Sequence, residues 1–297
     1  MPNENQAVVL SASRRRIKVA SENKFYEILI ERKYSELLPG DLVILNSKKN
    51  GIKEVLERTN LIKRSFKNKT KEIVANVDEL WIILAPPPLL NLTVLDRVLC
   101  LATLENIVPV LIFNKTDLGY EKAIEIIEYY KKIGVAVDFI SAKNDAELQL
   151  ILKRLKDKDL FQVALCGVSG VGKSTLLQKL VPEVEIRTNE VSEKTGQGKQ
   201  TTSKVSGYIF NRAEKKEIFL FDLPGIQNFG IVHYEKQLIK QGFIEFNKYE
   251  KCEYSDCLHL KEPNCGVKTA LAENKILKSR YASYKQILKE IELSKPY

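Results

Sequence analysis

The sequence predicts three domains in succession: a small β-barrel, a parallel sheet covered by helices, and a mainly helical tail built round a cysteine cluster. Three observations predict this order. Short apolar runs separated by turn formers fill the first 71 residues, strand and helix patterns alternate from residue 72, and three of the five cysteines fall between Cys252 and Cys265. The expected boundaries are therefore 1–71, 72–228 and 229–297.

In the first segment, Ala7–Leu10, Ile17–Val19, Phe25–Ile30, Leu42–Leu45 and Ile52–Leu56 are apolar or alternating, with Pro39-Gly40-Asp41 and Asn50-Gly51 as turns. Five such strands fit an OB-like barrel, a fold that commonly holds nucleic acid; an SH3-like barrel gives the same pattern. Arg14-Arg15-Arg16 lies between the first two runs, where a loop presents three guanidiniums to phosphates.

The second segment reads as strand Leu80–Ala85, helix Leu92–Glu105, strand Pro109–Phe113, helix Tyr120–Ile133 and strand Ala136–Ile140. It continues through helix Ala146–Leu155, strand Gln162–Cys166, helix Lys173–Leu180 and strand Glu217–Phe221. Such alternation argues for a parallel sheet with helices on its faces. The tail is polar and helical, ending in one helix expected across Lys268–Leu293.

Composition narrows the class. A chain of 297 residues with 44% hydrophobic and 29% charged residues is neither disordered nor collagen-like. Leu80–Leu90, its longest apolar stretch, is too short to span a bilayer, and no apolar signal core follows the polar Met1–Gln6. A cytoplasmic protein without membrane association is expected. The net charge of +9 sits at the two ends: residues 1–75 hold 16 Lys and Arg against 9 Asp and Glu, residues 76–228 hold 19 against 20, and residues 229–297 hold 12 against 9. Basic ends round a neutral centre suit a chain that grips a polyanion at both ends.

The chemistry lies at the ends of the predicted strands. Gly167-Val168-Ser169-Gly170-Val171-Gly172-Lys173-Ser174, continued by Thr175, fits the phosphate-loop pattern and stands between a strand and a helix, as that motif requires. Its backbone N–H groups would cradle phosphates at a helix N-terminus, Lys173 would bridge the β- and γ-phosphates, and Ser174 would ligate Mg²⁺. Asn114-Lys115-Thr116-Asp117 follows another buried strand, at the sheet edge where ligands bind. Asp117 can accept both N1–H and N2–H₂ of guanine, a donor pair adenine lacks. Ser141-Ala142-Lys143, after the next strand, places backbone near the guanine carbonyl. Asp222-Leu223-Pro224-Gly225 closes a further strand; Asp222 would hold Mg²⁺ through water and the Gly225 N–H would sense the γ-phosphate. The polar loop Thr195–Ser203 supplies Thr201 or Thr202 to the magnesium shell.

In an ordinary GTPase the phosphate loop comes first and the Asn-Lys-x-Asp element late. Here Asn114–Asp117 and Ser141–Lys143 precede Gly167–Ser174, so the order is circularly permuted. Downstream, Cys252-x4-Cys257-x-His259-x5-Cys265 offers three thiolates and one imidazole, the closed tetrahedral set of a structural Zn²⁺ site. Cys100 and Cys166 lie in apolar patterns expected in the core, and His233 has no motif around it.

With these motifs the chain resembles, over nearly its whole length, the circularly permuted small-ribosomal-subunit GTPases of the RsgA (YjeQ) type. That resemblance implies a factor for late maturation of the 30S subunit that contacts 16S rRNA through barrel and zinc domain and hydrolyses GTP to GDP when the subunit stimulates it; a monomer is the natural expectation for a factor docking on one ribosomal site. Two positions shape the expected mechanism. Ile226 stands where many GTPases carry a water-orienting glutamine, and Gln200 stands where this family usually has a histidine. Gln200 is the expected water-orienting residue on the ribosome. Two alternatives remain at this point: an RNA-binding module with GTP as a mainly structural ligand, and a metabolic kinase, which the guanine motif and basic ends disfavour.

Overall fold

The computed structural model describes residues 5–22, 24–66, 69–157, 161–182, 205–211, 217–224 and 231–294. Its first element is an antiparallel sheet of β1 (Gln6–Ala12), β2 (Arg16–Ser21), β3 (Lys24–Leu29), β4 (Leu42–Leu45) and β5 (Ile52–Val55), ordered β3-β2-β1-β4-β5. The period-2 alternation divides β1 between two environments. Ala7 and Val9 enter the barrel core with Ile17, Val19, Val43 and Leu45, whereas Val8 and Leu10 join the main core.

Next comes a hairpin that the sequence pattern does not reveal, β6 (Leu61–Phe66) and β7 (Lys69–Ala75). Its lysine-rich run hides only a few buried apolar positions, Ile62, Ile73 and Val74 among them, so the usual strand signal is weak. β7 continues past position 71, the expected end of the barrel domain.

The central sheet joins β8 (Glu79–Leu84), β9 (Val108–Phe113), β10 (Ala136–Phe139), β11 (Gln162–Gly167), β12 (Ser206–Asn211) and β13 (Glu217–Asp222), in the order β10-β9-β8-β11-β13-β12. Every pairing is parallel except β12 with β13. Both central strands, β8 and β11, are buried along their whole length, as expected of a sheet covered on both faces. Leu80, Ile82 and Leu84 face α1 (Leu92–Leu104) and α2 (Glu121–Lys132), while Trp81 and Ile83 face α3 (Asp145–Asp157) and α4 (Lys173–Leu180). Counting from β11 instead of β8 turns the spatial order into 6-5-4-1-3-2, so the permutation moves the chain's entry point and leaves the sheet intact. From β8 the chain runs outward through β9 and β10 on one side, while the next parallel strand after β11, β13, lies on the other, so the crevice at the carboxyl ends of β8 and β11 is the topological switch point.

β12 also lacks a clear sequence signal. It is an edge strand, and its Gly207 lets β1 come close: a Cβ there would lie 2.9 Å from the Leu10 backbone. The barrel thus docks on the far edge of the central sheet.

The tail contains α5 (Lys236–Ile239), α6 (Gly266–Ala272) and α7 (Lys278–Ser294). The single helix expected across Lys268–Leu293 is broken. Asn274 adopts a left-handed φ of 56°, the Lys275 N–H closes on Ala270 O at 2.9 Å, and Ile276 turns into the core. An Asn-terminated helix followed by an apolar anchor is a common C-cap. Ile239, Phe243, Phe246, Tyr284, Ile287 and Ile291 extend the core from α1 into the tail. At that junction Arg280 is fully buried between Asp96 on α1 (2.8 Å) and Glu245 (2.7 Å), and its guanidinium lies 4.4 Å from the centre of the Phe243 ring. Among the described residues no helix is long and apolar enough to cross a membrane.

Candidate nucleotide site and metal centre

The glycine-rich turn after β11 sits at the switch point. Gly170 and Gly172 have φ of 87° and 92°, and a Cβ on Gly172 would fall 2.3 Å from the Asn114 side-chain nitrogen. A side chain at this position is therefore excluded both by backbone conformation and by space. Lys173 begins α4, and its ammonium contacts the Asp222 carboxylate and donates to Leu223 O at 3.1 Å. Ser174 and Thr175 stand exposed in the first turn of the helix, and Ser169 is exposed in the loop; Val168 is half-buried and Val171 buried.

Asn114 is 1% exposed and joins two loops. Its amide donates to Val171 O in the phosphate loop at 2.8 Å, and its Oδ1 accepts from the Ala142 N–H at 2.9 Å. Both ends of its amide are thereby directed at the two neighbouring motifs. Lys115 takes a left-handed φ of 64° at the turn that follows. Asp117 accepts from the Ser141 hydroxyl at 2.8 Å, which fixes the carboxylate beside the second loop.

One contributor carries no sequence signature. Glu147, in the first turn of α3, accepts from the Thr116 hydroxyl at 3.1 Å and from the Ser141 N–H at 2.5 Å. No motif marks it, because its partners lie on two different loops. Tyr120 and Phe139, packed at 5.3 Å, add an aromatic side to a cavity of about 630 Å³ lined also by Thr116, Asp117, Ser141 and Lys143. The cavity has a carboxylate at one end and apolar ring surface beside it, as a planar heterocycle requires. The structure thus brings together Asn114–Asp117, Ser141–Lys143, Gly167–Thr175 and Asp222 at one sheet edge. Gln200, Thr201, Thr202 and Gly225 lie outside the described residues, as does Ile226.

The tail holds the second cluster. The donor atoms of Cys252, Cys257, His259 and Cys265 all lie within 4.8 Å of one another, so this set could bind one metal ion. Nδ1 of His259 is 3.6, 3.4 and 3.3 Å from the three sulfurs, and Cys252 and Cys265 are 3.8 Å apart. A tetrahedral shell with metal–sulfur bonds of about 2.3 Å separates its sulfurs by about 3.8 Å, so the spacing fits. Burial pushes the Cys257 thiol up to about 12 and also raises Cys265, so thiolates here need a cation beside them. The surrounding chain is held in shape. Glu262 accepts from the N–H groups of Leu258, Leu260 and Lys261, and the Tyr281 and Tyr284 hydroxyls donate to His259 O and Leu258 O.

A permuted parallel sheet, a phosphate loop at its switch point and a guanine-type motif stitched to that loop define the class: a circularly permuted GTPase with a cysteine and histidine cluster in its tail. The chain belongs to the RsgA GTPase family, whose sequence profile matches residues 55–232. It is 35% identical over 273 residues to the small ribosomal subunit biogenesis GTPase RsgA of Ralstonia nicotianae, covering 89% of this chain and 85% of that one. With the protein of the same name from Klebsiella pneumoniae it shares 32% over 291 residues, covering 92% and 80%. Among solved structures it resembles YjeQ from Thermotoga maritima, with a TM-score of 0.77, 27% identity and coverage of 98% and 99%. YloQ, described as a circularly permuted GTPase, gives a TM-score of 0.73 at 25% identity, covering 100% and 98%.

Proposed function

We propose that this chain is a GTP-hydrolysing switch for maturation of the small ribosomal subunit, binding the 30S particle in its GTP form and leaving after hydrolysis. The single observation that carries the reading is the Asn114 stitch, which holds the phosphate loop and the Ser141–Lys143 loop as one unit at the switch point. In this reading Asp117 accepts from the guanine edge, and Lys115 and Thr116 shape the pocket. Ser141, Ala142 and Lys143 offer backbone to the guanine carbonyl. The run Gly167–Thr175 receives the phosphates, and Lys173 exchanges Asp222 for the β- and γ-phosphates. Ser174, Asp222 and Thr201 or Thr202 hold Mg²⁺, while Gly225 senses the γ-phosphate.

Gln200 orients the attacking water once the ribosome completes the site. Amides do not act as bases near neutral pH, so its contribution is positional. Zn²⁺ is the ion that three thiolates and one imidazole in a closed set select, and its role is to hold the tail's shape. The basic barrel and tail meet 16S rRNA. The absence of any long apolar helix among the described residues is consistent with a cytoplasmic place of action.

The test is GTP turnover by the purified protein, alone and with 30S subunits, 50S subunits or 70S ribosomes. Stimulation by 30S of several tens-fold supports the switch. Tight GTP binding with no stimulation by any particle overturns it in favour of an RNA-binding module using GTP as a structural ligand. Within a stimulated system, Gln200→Ala should lower turnover far more than it alters GTP affinity; equal turnover removes Gln200 from the mechanism.

A further inference from the structure

The first turn of α3 carries a carboxylate whose hydrogen bonds lead away from its own helix. Asn144 caps α3: its C=O accepts from the Leu148 N–H at 3.1 Å, and its Oδ1 accepts from the Ala146 N–H at 3.0 Å. A glutamate three residues past such a cap commonly reaches back to the N–H of the cap residue. Here that N–H donates to Ser141 O at 2.8 Å, and the Glu147 carboxylate is turned to the loops of the guanine-type motif instead. One oxygen, Oε2, accepts both the Ser141 N–H at 2.5 Å and the Thr116 hydroxyl at 3.1 Å. The other, Oε1, accepts from the Asn144 side-chain amide at 2.7 Å.

These bonds bracket Asp117. On one side stands Thr116, its neighbour in the chain. On the other stands Ser141, 3% exposed, whose hydroxyl donates to Asp117 Oδ1 at 2.8 Å. Oε2 of Glu147 therefore fixes Ser141 by its backbone, Ser141 fixes the Asp117 carboxylate by its hydroxyl, and the same oxygen holds the turn at residue 116. Two parallel hydrogen bonds from N1–H and N2–H₂ of guanine need the carboxylate set in the plane of the base, since such bonds weaken steeply with misalignment. We propose that Glu147 is a positioning residue for base selection, acting through Ser141 and Thr116 to set Asp117 so that the 2-amino group of guanine is read. The proposal rests on the guanine seat assigned to this cavity above. Asn114 and Glu147 divide the work: Asn114 ties the Ser141–Lys143 loop to the phosphate loop, and Glu147 ties it to the turn that carries Asp117.

The experiment competes unlabelled GDP and IDP, which differ by the 2-amino group, against a fluorescent GDP on the full chain. Wild type should prefer GDP. Glu147→Ala should weaken GDP binding by about five- to thirtyfold and IDP binding less, so that the GDP/IDP affinity ratio falls by about three- to tenfold. Glu147→Asp keeps a negative charge at the start of α3 and shortens the arm by one methylene. It should lose the ratio as the Ala variant does, and it supplies the answer if the Ala variant fails to fold. Glu147→Gln keeps an acceptor oxygen for Ser141 and Thr116 and should restore most of the ratio. Asn144→Ala removes the helix cap and should lower the melting temperature at a wild-type ratio. GDP and IDP weakened alike in the Ala and Asp variants, or not weakened at all, overturns the proposal. A ratio lost equally in Asn144→Ala also overturns it, by tracing the effect to the start of the helix. A ratio kept by Asp and lost by Gln overturns it in favour of charge alone. Equal binding of GDP and IDP by wild type removes the guanine seat itself and the proposal with it, whereas a discriminating wild type with equally discriminating Glu147 variants removes the proposal alone. Stimulation of hydrolysis by 30S is read separately and decides the switch reading on its own.

Discussion

Asp117 is held by one hydroxyl, Ser141 Oγ at 2.8 Å, and otherwise faces the cavity. If its carboxylate receives the guanine edge, its removal strands the N1–H and N2–H₂ donors of the base. Asp117→Ala should weaken GDP binding by about 10²–10⁴-fold and abolish the preference for GDP over IDP, which lacks the 2-amino group. Fluorescence titration with both nucleotides checks this, and an unchanged GDP/IDP ratio would remove the base-reading role. His233 offers a prediction of another kind. It stacks on Tyr234 at 4.1 Å, and both its ring nitrogens are buried without a hydrogen-bond partner. Burial, and then the nearby Lys63, push its pKa below the ordinary 6.5. The imidazole is therefore more easily protonated in the unfolded chain than in the folded one. Its stabilising contribution is complete above the unfolded value and is lost as pH falls through the folded value. His233→Phe should flatten the fall in urea-unfolding free energy between about pH 7 and pH 5. A slope identical to wild type would assign the acid sensitivity to other groups.

Loops and strands act through shared ties. The Asn114 side chain bridges 57 residues to Val171 and 28 residues to Ala142, so one amide sets the distance between the phosphate loop and the loop after β10. Asn114→Ala leaves a buried carbonyl and a buried N–H without partners, each costing about 1–3 kcal/mol. A loss of about 2–5 kcal/mol in denaturant unfolding is expected, together with weaker nucleotide binding, since both loops lose their register. A change below about 0.5 kcal/mol would show that water replaces the amide at no cost. Strands and helices of the central sheet are legible in the sequence because their periodicities are strong: β8 and β11 are continuous apolar runs, and α1 carries its stripe of Leu95, Val98, Leu99 and Ala102. The β6–β7 hairpin and β12 are not, because a strand at an edge or in a two-stranded ribbon buries few side chains and need not alternate cleanly. The break between α6 and α7 is hidden for the opposite reason: apolar residues continue at helical spacing on both sides of Asn274, and only the left-handed turn interrupts them.

Across the whole molecule, the tail is coupled to the nucleotide-binding half by Arg280. One guanidinium lies between two buried carboxylates, with the Tyr130 hydroxyl donating to Asp96 at 2.6 Å. Desolvation leads the upward displacement of the Asp96 pKa, and the guanidinium opposes it. Replacing Arg280 by Met removes the cation that both carboxylates share and should cost about 3–5 kcal/mol, read as a lowered melting temperature. Adding Asp96→Asn and Glu245→Gln to that variant should recover part of the loss; no recovery would trace the damage to packing rather than to stranded charge. Metal removal tests the tail independently. With Zn²⁺ in the cluster as proposed, treatment with a strong chelator should release one ion per chain and expose the region round Cys252–Cys265 to protease, with GDP affinity retained, because the four-residue cluster and the nucleotide site share no residue.

Chain order alone marked out the phosphate loop, the guanine-type motif, the cluster of three cysteines and one histidine, and the permutation that relates the first two. These are features of spacing: each needs a few residues at fixed offsets beside a strand end, and strand ends are marked by hydrophobic periodicity. Folding had to bring together what no spacing records. Glu147 meets Thr116 and Ser141 across 31 and 6 residues, and Arg280 meets Asp96 across 184. Such meetings depend on which faces pack against each other, and that is fixed by burial of the whole apolar surface rather than by any local pattern of residues.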